Sequence, residues 1–455
     1  MTSNPQTITL IGAGLNGPLL AMGLVQRGFR VEIYERRPDM RRVRVNAGRS
    51  INLALSTRGI YALSQLGLWD EMRGIVIPMK GRMMHAANAD LTFQPYGKNE
   101  TEVIYAISRA DLNIALMTAA ESRGVRVFFE QRCMGMDPGS GALQFRDEQN
   151  GAVSTRASEV VIGCDGSASA IRSALGNQGG FHGTEENLDY GYKELTIPSL
   201  DGKYAMGTHA LHIWPRGNFM LIALPNVDGT FGCILFLPFH GPDSFDRLST
   251  PAAVLEFFEA HFPDVFPLMP GLAENFFANP TGGMVTVRCS PWSTGGRALL
   301  LGDAAHAIVP FFGQGINCGF EDCTTFFELL DRYGPTPDWE EVFAAFEQAR
   351  KPNTDAIAEM AVENFIEMRN RVADPRFLFR KKVELALEAR YPHRFVPKYA
   401  MVTFHRIPYA VARDRGRTQD TILSELCDSI HRIDELDWKK AEKLIGQLPP
   451  LELAS

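Results

Sequence analysis

The 455-residue sequence predicts an α/β fold: a Rossmann-like domain assembled from separated stretches of chain, a mixed β-sheet domain inserted into it, and a helical C-terminal region. Three observations predict it. The chain opens as strand, glycine turn, helix and strand in "TITLIGAGLNGPLLAMGLVQRGFRVEIYERR". A later apolar run, "ALLLGDAAHAIVPFFGQG", ends in a polar, glycine-rich cluster. Between them, "ALHIWPRGNFMLIALPN" and "TFGCILFLPF" read as neighbouring strands joined by a polar turn.

The first element is the most constrained. Thr7 to Ile11 is short and β-branched, and Gly12, Gly14 and Gly17 fit G-x-G-x-x-G. Gly12 permits the tight turn, Gly14 lets backbone approach a pyrophosphate, and Gly17 lets helix and strand pack closely. The helix start then faces negative charge. Val31, Ile33 and Tyr34 make the second strand, with Glu35 at its end, roughly 20 residues on, where a carboxylate accepts ribose hydroxyls. This arrangement predicts a dinucleotide. It does not say which one, because the adenosine ribose is common to FAD and NAD.

The later run places Asp303 at the end of an apolar strand and Gly313 and Gly315 in the loop beyond it. The segment from Asn317 through Leu330 reads as a helix whose start favours developing negative charge. By residue pattern alone, an ordinary strand-to-helix crossing with a polar loop explains the segment equally well.

Three segments together resemble the single-component FAD-dependent aromatic hydroxylases: "GAGLNG" with Glu35, "VIGCDGSASAIR" and "GDAAHAIVPFFGQG". The resemblance implies FAD as cofactor, NADPH as co-substrate and O2 as oxidant. It places Asp165 and Gly166 after a strand at Glu159 to Ile162, with Arg172 in the next helix, and puts Arg109 near the flavin at a helix start. It implies further cofactor contacts from Leu15, Arg36, Pro310, Gln314 and Asn317. His306 reads as part of the flavin-loop signature, not as a general base. No protein acid or base is obligatory; the oxygen chemistry belongs to the flavin, and no metal is implied.

The implied flavin domain is discontinuous, spanning residues 1–75, 102–180 and 285–360. Residues 76–101 and 181–284 form the substrate domain, and 361–455 the C-terminal helical region. Further segments, among them "GRSINLALSTRG" (48–59), "MKGRMMH", "GYKEL", "ENFIEM" and "KYAMVTFHRIPY", extend the resemblance to about Ala412. They imply an aminoaryl amino acid, L-kynurenine, hydroxylated at ring C3. Arg82, Tyr96 and Tyr399 then clamp its carboxylate, assisted by Asn364. Leu211, Met220, Ile222, Phe236, Pro310 and Phe311 suit an apolar slot for its ring. Phe312 stands where relatives carry a histidine. A close analogue of kynurenine, a flavin-dependent reductase that leaves oxygen alone, and a flavin-holding scaffold remain open alternatives.

Bulk properties exclude less. The net charge of -7, from 46 basic and 53 acidic residues, argues against a general nucleic-acid binder. Seven scattered cysteines without a CxxC pair read as reduced thiols. The N-terminus lacks a leader pattern, and no apolar run spans a bilayer, so the expected location is cytoplasmic, without a transmembrane anchor. A homodimer is compatible with the sequence.

Overall fold

The computed structural model describes residues 5–42, 52–370 and 375–453. Residues 48–51, the start of one segment that carries the resemblance, lie outside the described residues. The chain divides into two compact units. One comprises Met1–Val76, Ile107–Leu188 and Met284–Ala358, the other Ile77–Ala106, Asp189–Gly283 and Glu359–Ser455.

The first unit is built on a six-stranded sheet. Its order is Ser293–Thr294, Ala298–Leu300, Val160–Gly163, Thr7–Ile11, Arg30–Tyr34 and Arg126–Phe128. All neighbours run parallel except the two-residue edge strand Ser293–Thr294. Ile33, Leu10, Ile162 and Leu299 line up across the sheet, each fully buried. This is why the strands read as near-continuous apolar runs: a parallel sheet covered on both faces has no solvated side. The helix Asn16–Gln26 follows the first strand and buries Leu19, Leu20, Met22 and Leu24. The helix expected over Asn317 to Leu330 runs from Gly315 to Tyr333, and the α/β class is as expected.

The second unit contains most of a seven-stranded mixed sheet. The order is Thr281–Ser290, His182–Ile197, Phe231–Pro238, Met220–Pro225, Ala210–Pro215, Gly81–His85 and Leu91–Pro95. Register fixes its two faces, because side chains alternate with period two. Arg82 stands opposite Leu211, Ile213 opposite Ile222, Ile222 opposite Ile234, and Met220 opposite Phe236. Those residues therefore share one face. Trp214, Leu221, Ala223 and Leu235 take the other face and bury themselves against Val254, Phe258, Phe262, Leu272 and Phe276. The last four segments of the chain contain the helices Pro375–Arg390, Lys398–Thr403, Tyr409–Cys427 and Trp438–Gly446. Val383, Leu387, Leu423, Leu426 and Ile445 form a separate apolar cluster there. Among the described residues, no helix is long and apolar enough to cross a membrane. All seven cysteines carry free thiols.

The cluster around Phe258 dictates how firmly the sheet is held from its helical side. Phe258→Ala should cost about 3–5 kcal/mol, the usual effect of emptying a fully buried phenylalanine site. Urea denaturation checks this, and a loss below about 1 kcal/mol would contradict the packing.

Candidate functional site

Two loops of the first unit and one side-chain cluster of the second carry the chemistry-bearing residues. In the first loop, Gly12 has φ of 102° and passes so close to Cys164 and Asp165 that a Cβ would collide with their backbone. A Cβ on Gly17 would run into the Gly12 carbonyl. Gly14 differs: nothing lies within 4 Å of where its Cβ would be. The turn is therefore tight on its protein side and bare on its outer side, at a helix start that no side chain caps. Unsatisfied backbone N–H groups there suit an anion.

Glu35 closes the loop. Its Oε2 accepts the Ala13 N–H at 2.8 Å, and its Oε1 accepts the Arg37 N–H and Nε–H at 2.9 and 2.8 Å. Burial alone would raise this carboxyl, but the Arg37 guanidinium and the two backbone donors hold it below the ordinary value. Arg36, expected at the cofactor, and Arg37 are both exposed, and Arg37 makes the ion pair with Glu35. A recess beside this pair is lined by Ala13, Glu35, Arg37, Asn113, Met117 and Phe129. Asn113, which the sequence reading missed, donates to the carbonyls of Ala13 and Gly14 at 2.9 Å each. Its signal was a buried amide among Leu112, Leu116 and Met117 on the helix that begins at Arg109.

The second loop starts at Gly302, with φ of 65°. Asp303 follows it, exposed to solvent yet set deep among protein atoms. That surrounding raises its carboxyl, and Arg109 and His306 oppose the rise. Beyond the turn Pro310–Phe312, Gly313 adopts a left-handed conformation. Asn317 then uses its whole amide locally: Oδ1 accepts the Ser56 N–H at 2.8 Å, and Nδ2 donates to the Ala54 and Gly313 carbonyls. Gln314 is buried, while Gly315 faces open space at the start of another helix without a side-chain cap. Leu15 and Gly166 border the first unit's open loops as half-buried residues. Asp165 turns its carboxylate to Ser169 and to the Ala170 N–H, at 2.6 and 2.7 Å, capping the helix Ala170–Gly176. Pro310 is exposed and Phe311 buried, both within this unit.

In the second unit, Arg82, Tyr96 and Tyr399 meet. The Arg82 guanidinium lies 5.6 Å from the Tyr96 ring centre and 5.0 Å from that of Tyr399. The two rings stack at 5.5 Å and 12°. Arg82 Nε and the Tyr96 hydroxyl are sealed from solvent, and neither has a hydrogen-bond partner of full geometry among the described residues. Burial pushes the Tyr96 hydroxyl up, and Tyr399 beside it adds to the rise. Burial also works against the Arg82 charge, but the hydroxyls of Tyr399 and Tyr96 and the Glu367 carboxylate outweigh it. Leu211, Met220, Ile222 and Phe236 share the sheet face of Arg82, with Met220 and Phe236 buried. Asn364 is buried on the helix Trp339–Asn370. An incompletely paired guanidinium between two phenols can serve a carboxylate, which accepts two parallel N–H bonds and a phenolic donor.

Comparison with known proteins bears on the family and the fold. Residues 6–358 match the family model described as FAD binding domain. The chain is 55% identical over 441 residues to the kynurenine 3-monooxygenase of Myxococcus xanthus, covering 96% of this chain and 94% of that one. It is 44% identical over 438 residues to the kynurenine 3-monooxygenase of Flavobacterium psychrophilum, covering 96% of each. The solved structure of tetrameric 2-methyl-3-hydroxypyridine-5-carboxylic acid oxygenase superposes with a TM-score of 0.67 at 20% identity, over 83% of this chain and 96% of that one. Tetracycline destructase Tet(55) follows with a TM-score of 0.60 at 18% identity, over 82% of this chain and 91% of that one. These two establish likeness of fold alone.

The two glycines should separate packing from binding. Gly17→Ala should destabilise the folded chain by about 1–3 kcal/mol, as overpacking against backbone does. Gly14→Ala should leave the melting temperature of the flavin-free protein unchanged and weaken retention of bound flavin. Thermal melts and flavin absorbance check both, and equal melting losses would contradict the open cradle.

Proposed function

Since the chain belongs to the kynurenine 3-monooxygenase family and carries its FAD-binding domain, we propose that it hydroxylates L-kynurenine at ring C3. The reaction consumes NADPH, a proton and O2 and yields 3-hydroxy-L-kynurenine, NADP+ and water. The observation that carries the substrate is the half-buried Arg82–Tyr96–Tyr399 cluster, in which Arg82 Nε and the Tyr96 hydroxyl are sealed without a full partner among the described residues.

Bound FAD supplies the hydride and oxygen-transfer chemistry. The protein residues hold and orient. The loop from Gly12 to Gly17, with Leu15 at the helix start, takes the pyrophosphate, and Glu35 takes the adenosine ribose with Arg37 as its neighbour. Asp303 offers its exposed carboxylate to the ribityl chain, with Arg109 close enough to favour the ionised form. Gly313, Gln314, Gly315 and Asn317 would border the ring, and Asp165 and Gly166 would shape the adjoining turn. No carboxylate or histidine is given the role of obligatory acid or base.

On the substrate side, Arg82 forks the kynurenine carboxylate. The hydroxyls of Tyr96 and Tyr399 donate to it, and Asn364 adds a polar contact. Leu211, Met220, Ile222 and Phe236 give the aminophenyl ring an apolar wall on the same sheet face. Binding there contributes orientation and exclusion of water. The relevant assay is NADPH oxidation. L-Kynurenine should stimulate it strongly, and its analogue lacking the carboxylate should not.

Arg82→Lys keeps the charge and loses the fork. It should raise the L-kynurenine dissociation constant at least about tenfold, roughly 1.4 kcal/mol, with Arg82→Ala weaker still. FAD content should stay normal in both. Titration of flavin absorbance with L-kynurenine measures this, and an unchanged constant in Arg82→Ala would remove the carboxylate clamp.

A further inference from the structure

Beneath the Gly302–Asp303 turn lies a cluster of charges that none of the roles above uses. Asp322 is fully buried on the helix Gly315–Tyr333. Its Oδ2 accepts the Gly302 N–H at 3.0 Å and lies 2.6 Å from His306 Nε2. Its Oδ1 accepts the Arg350 Nε–H at 2.7 Å. Arg350 also donates to Glu321 at 2.7 Å, and Glu321 is paired in turn with Arg58. Every one of these side chains is buried. The same carboxylate oxygen thus grips both ends of one turn: the Gly302 N–H at its start and the His306 ring at its end.

Three types of metal-ligating atom meet here, from His306, Cys318 and Asp322, within 4.8 Å of one another. Arg350 argues against a metal reading. Its guanidinium occupies Asp322 Oδ1 and donates to the Cys318 carbonyl and sulfur at 3.2 and 3.4 Å. A fixed cation already holds the place where a metal's charge would be useful.

The charges do not cancel when His306 carries a proton. Arg58, Arg350 and an imidazolium then face Glu321 and Asp322, leaving one net positive charge beside Asp303. Burial by itself would drive that proton off; Asp322, with Cys318 close by, outweighs it and brings the His306 pKa up to about 10. The groups facing His306 are known from each element around it. Asp322, Glu321 and Cys318 come from one helix, Arg350 from the next, and Asp303 from its own turn. The Trp292 ring lies 5.2 Å away, while Cys289 and Arg172 bond the backbone of Ala305 and Ala304.

We infer that His306 is a positioning residue for the flavin: together with Asp322 it fixes the Gly302–Asp303 turn, and its proton is part of the FAD site. The inference rests on the FAD-binding role assigned to Asp303. His306 itself touches neither the substrate nor the reacting atoms; it acts through Asp322 and the backbone.

The sign of the pH effect follows from the raised pKa. The stabilisation is complete below the ordinary histidine value near 6.5 and is lost as pH rises through about 10. FAD binds the folded protein, in which the proton is kept up to about pH 10, so FAD affinity should stay flat below that value and fall above it.

The experiment measures FAD dissociation from the holoprotein between pH 6 and pH 10.5, in wild type, His306→Gln and His306→Ala, with circular dichroism for folded fraction. The glutamine amide can keep a donor on Asp322 but cannot titrate. His306→Gln should therefore lose the alkaline arm while retaining an affinity near that of wild type at high pH. His306→Ala should weaken FAD at least about tenfold at pH 7 and also lose the arm. The midpoint potential of bound FAD should fall in both variants, because a positive charge that favours the reduced flavin has gone. If His306→Ala unfolds, the glutamine variant alone decides. An alkaline arm that persists in His306→Gln would overturn the inference, and so would an unchanged potential. A wild-type protein that takes up no FAD at any pH would instead sink the FAD-binding reading on which the inference rests.

Discussion

A polar group taken out of water must find a partner, and the penalty for a charge without one is several kcal/mol. That constraint explains where this fold is closed and where it is open. Around Asp322 it is met in full: each carboxylate oxygen has a donor, and the chain of pairs runs from Arg58 through Glu321 and Arg350 to His306. Around Arg82 it is not. A guanidinium nitrogen and a tyrosine hydroxyl are sealed without full partners among the described residues. The first arrangement holds a turn in place; the second has donors to offer a carboxylate, as the proposed substrate clamp requires.

The two-faced sheet of the second unit makes the open arrangement affordable. One face is anchored by Trp214, Leu221 and Leu235 against the phenylalanines of two helices. The other face is then free to carry Arg82 in register with Leu211, next to a stripe of aliphatic and aromatic side chains. Fixing both tyrosine rings against the guanidinium keeps the donors from collapsing onto one another. Preorganisation of this kind lets binding energy go into orientation.

The sequence made the glycine loops legible because their demands are local. Gly12 and Gly17 are where a Cβ collides, Gly14 is where it meets nothing, and Glu35 ends the strand where the pattern requires an acid. Strand alternation made the sheet legible for the same reason. What escaped was long-range pairing. Nothing in the neighbourhood of "GFEDC" says that Asp322 will reach Arg350, or that Glu321 will reach Arg58 from the other end of the chain. The pairing of Arg37 with Glu35 depends on how the backbone turns after Tyr34 and brings the guanidinium back to the carboxylate. Asn113 showed only as an amide among apolar neighbours; its partners are backbone carbonyls, which residue type does not name.

The central claim is that an oxygen atom from O2 reaches the ring of an amino acid held by its carboxylate. The most direct measurement is the mass of the product formed from L-kynurenine and NADPH under 18O2. The account predicts 3-hydroxy-L-kynurenine carrying one 18O atom, in proportion to NADPH consumed. NADPH oxidation that yields only hydrogen peroxide, or a product without 18O, would contradict it.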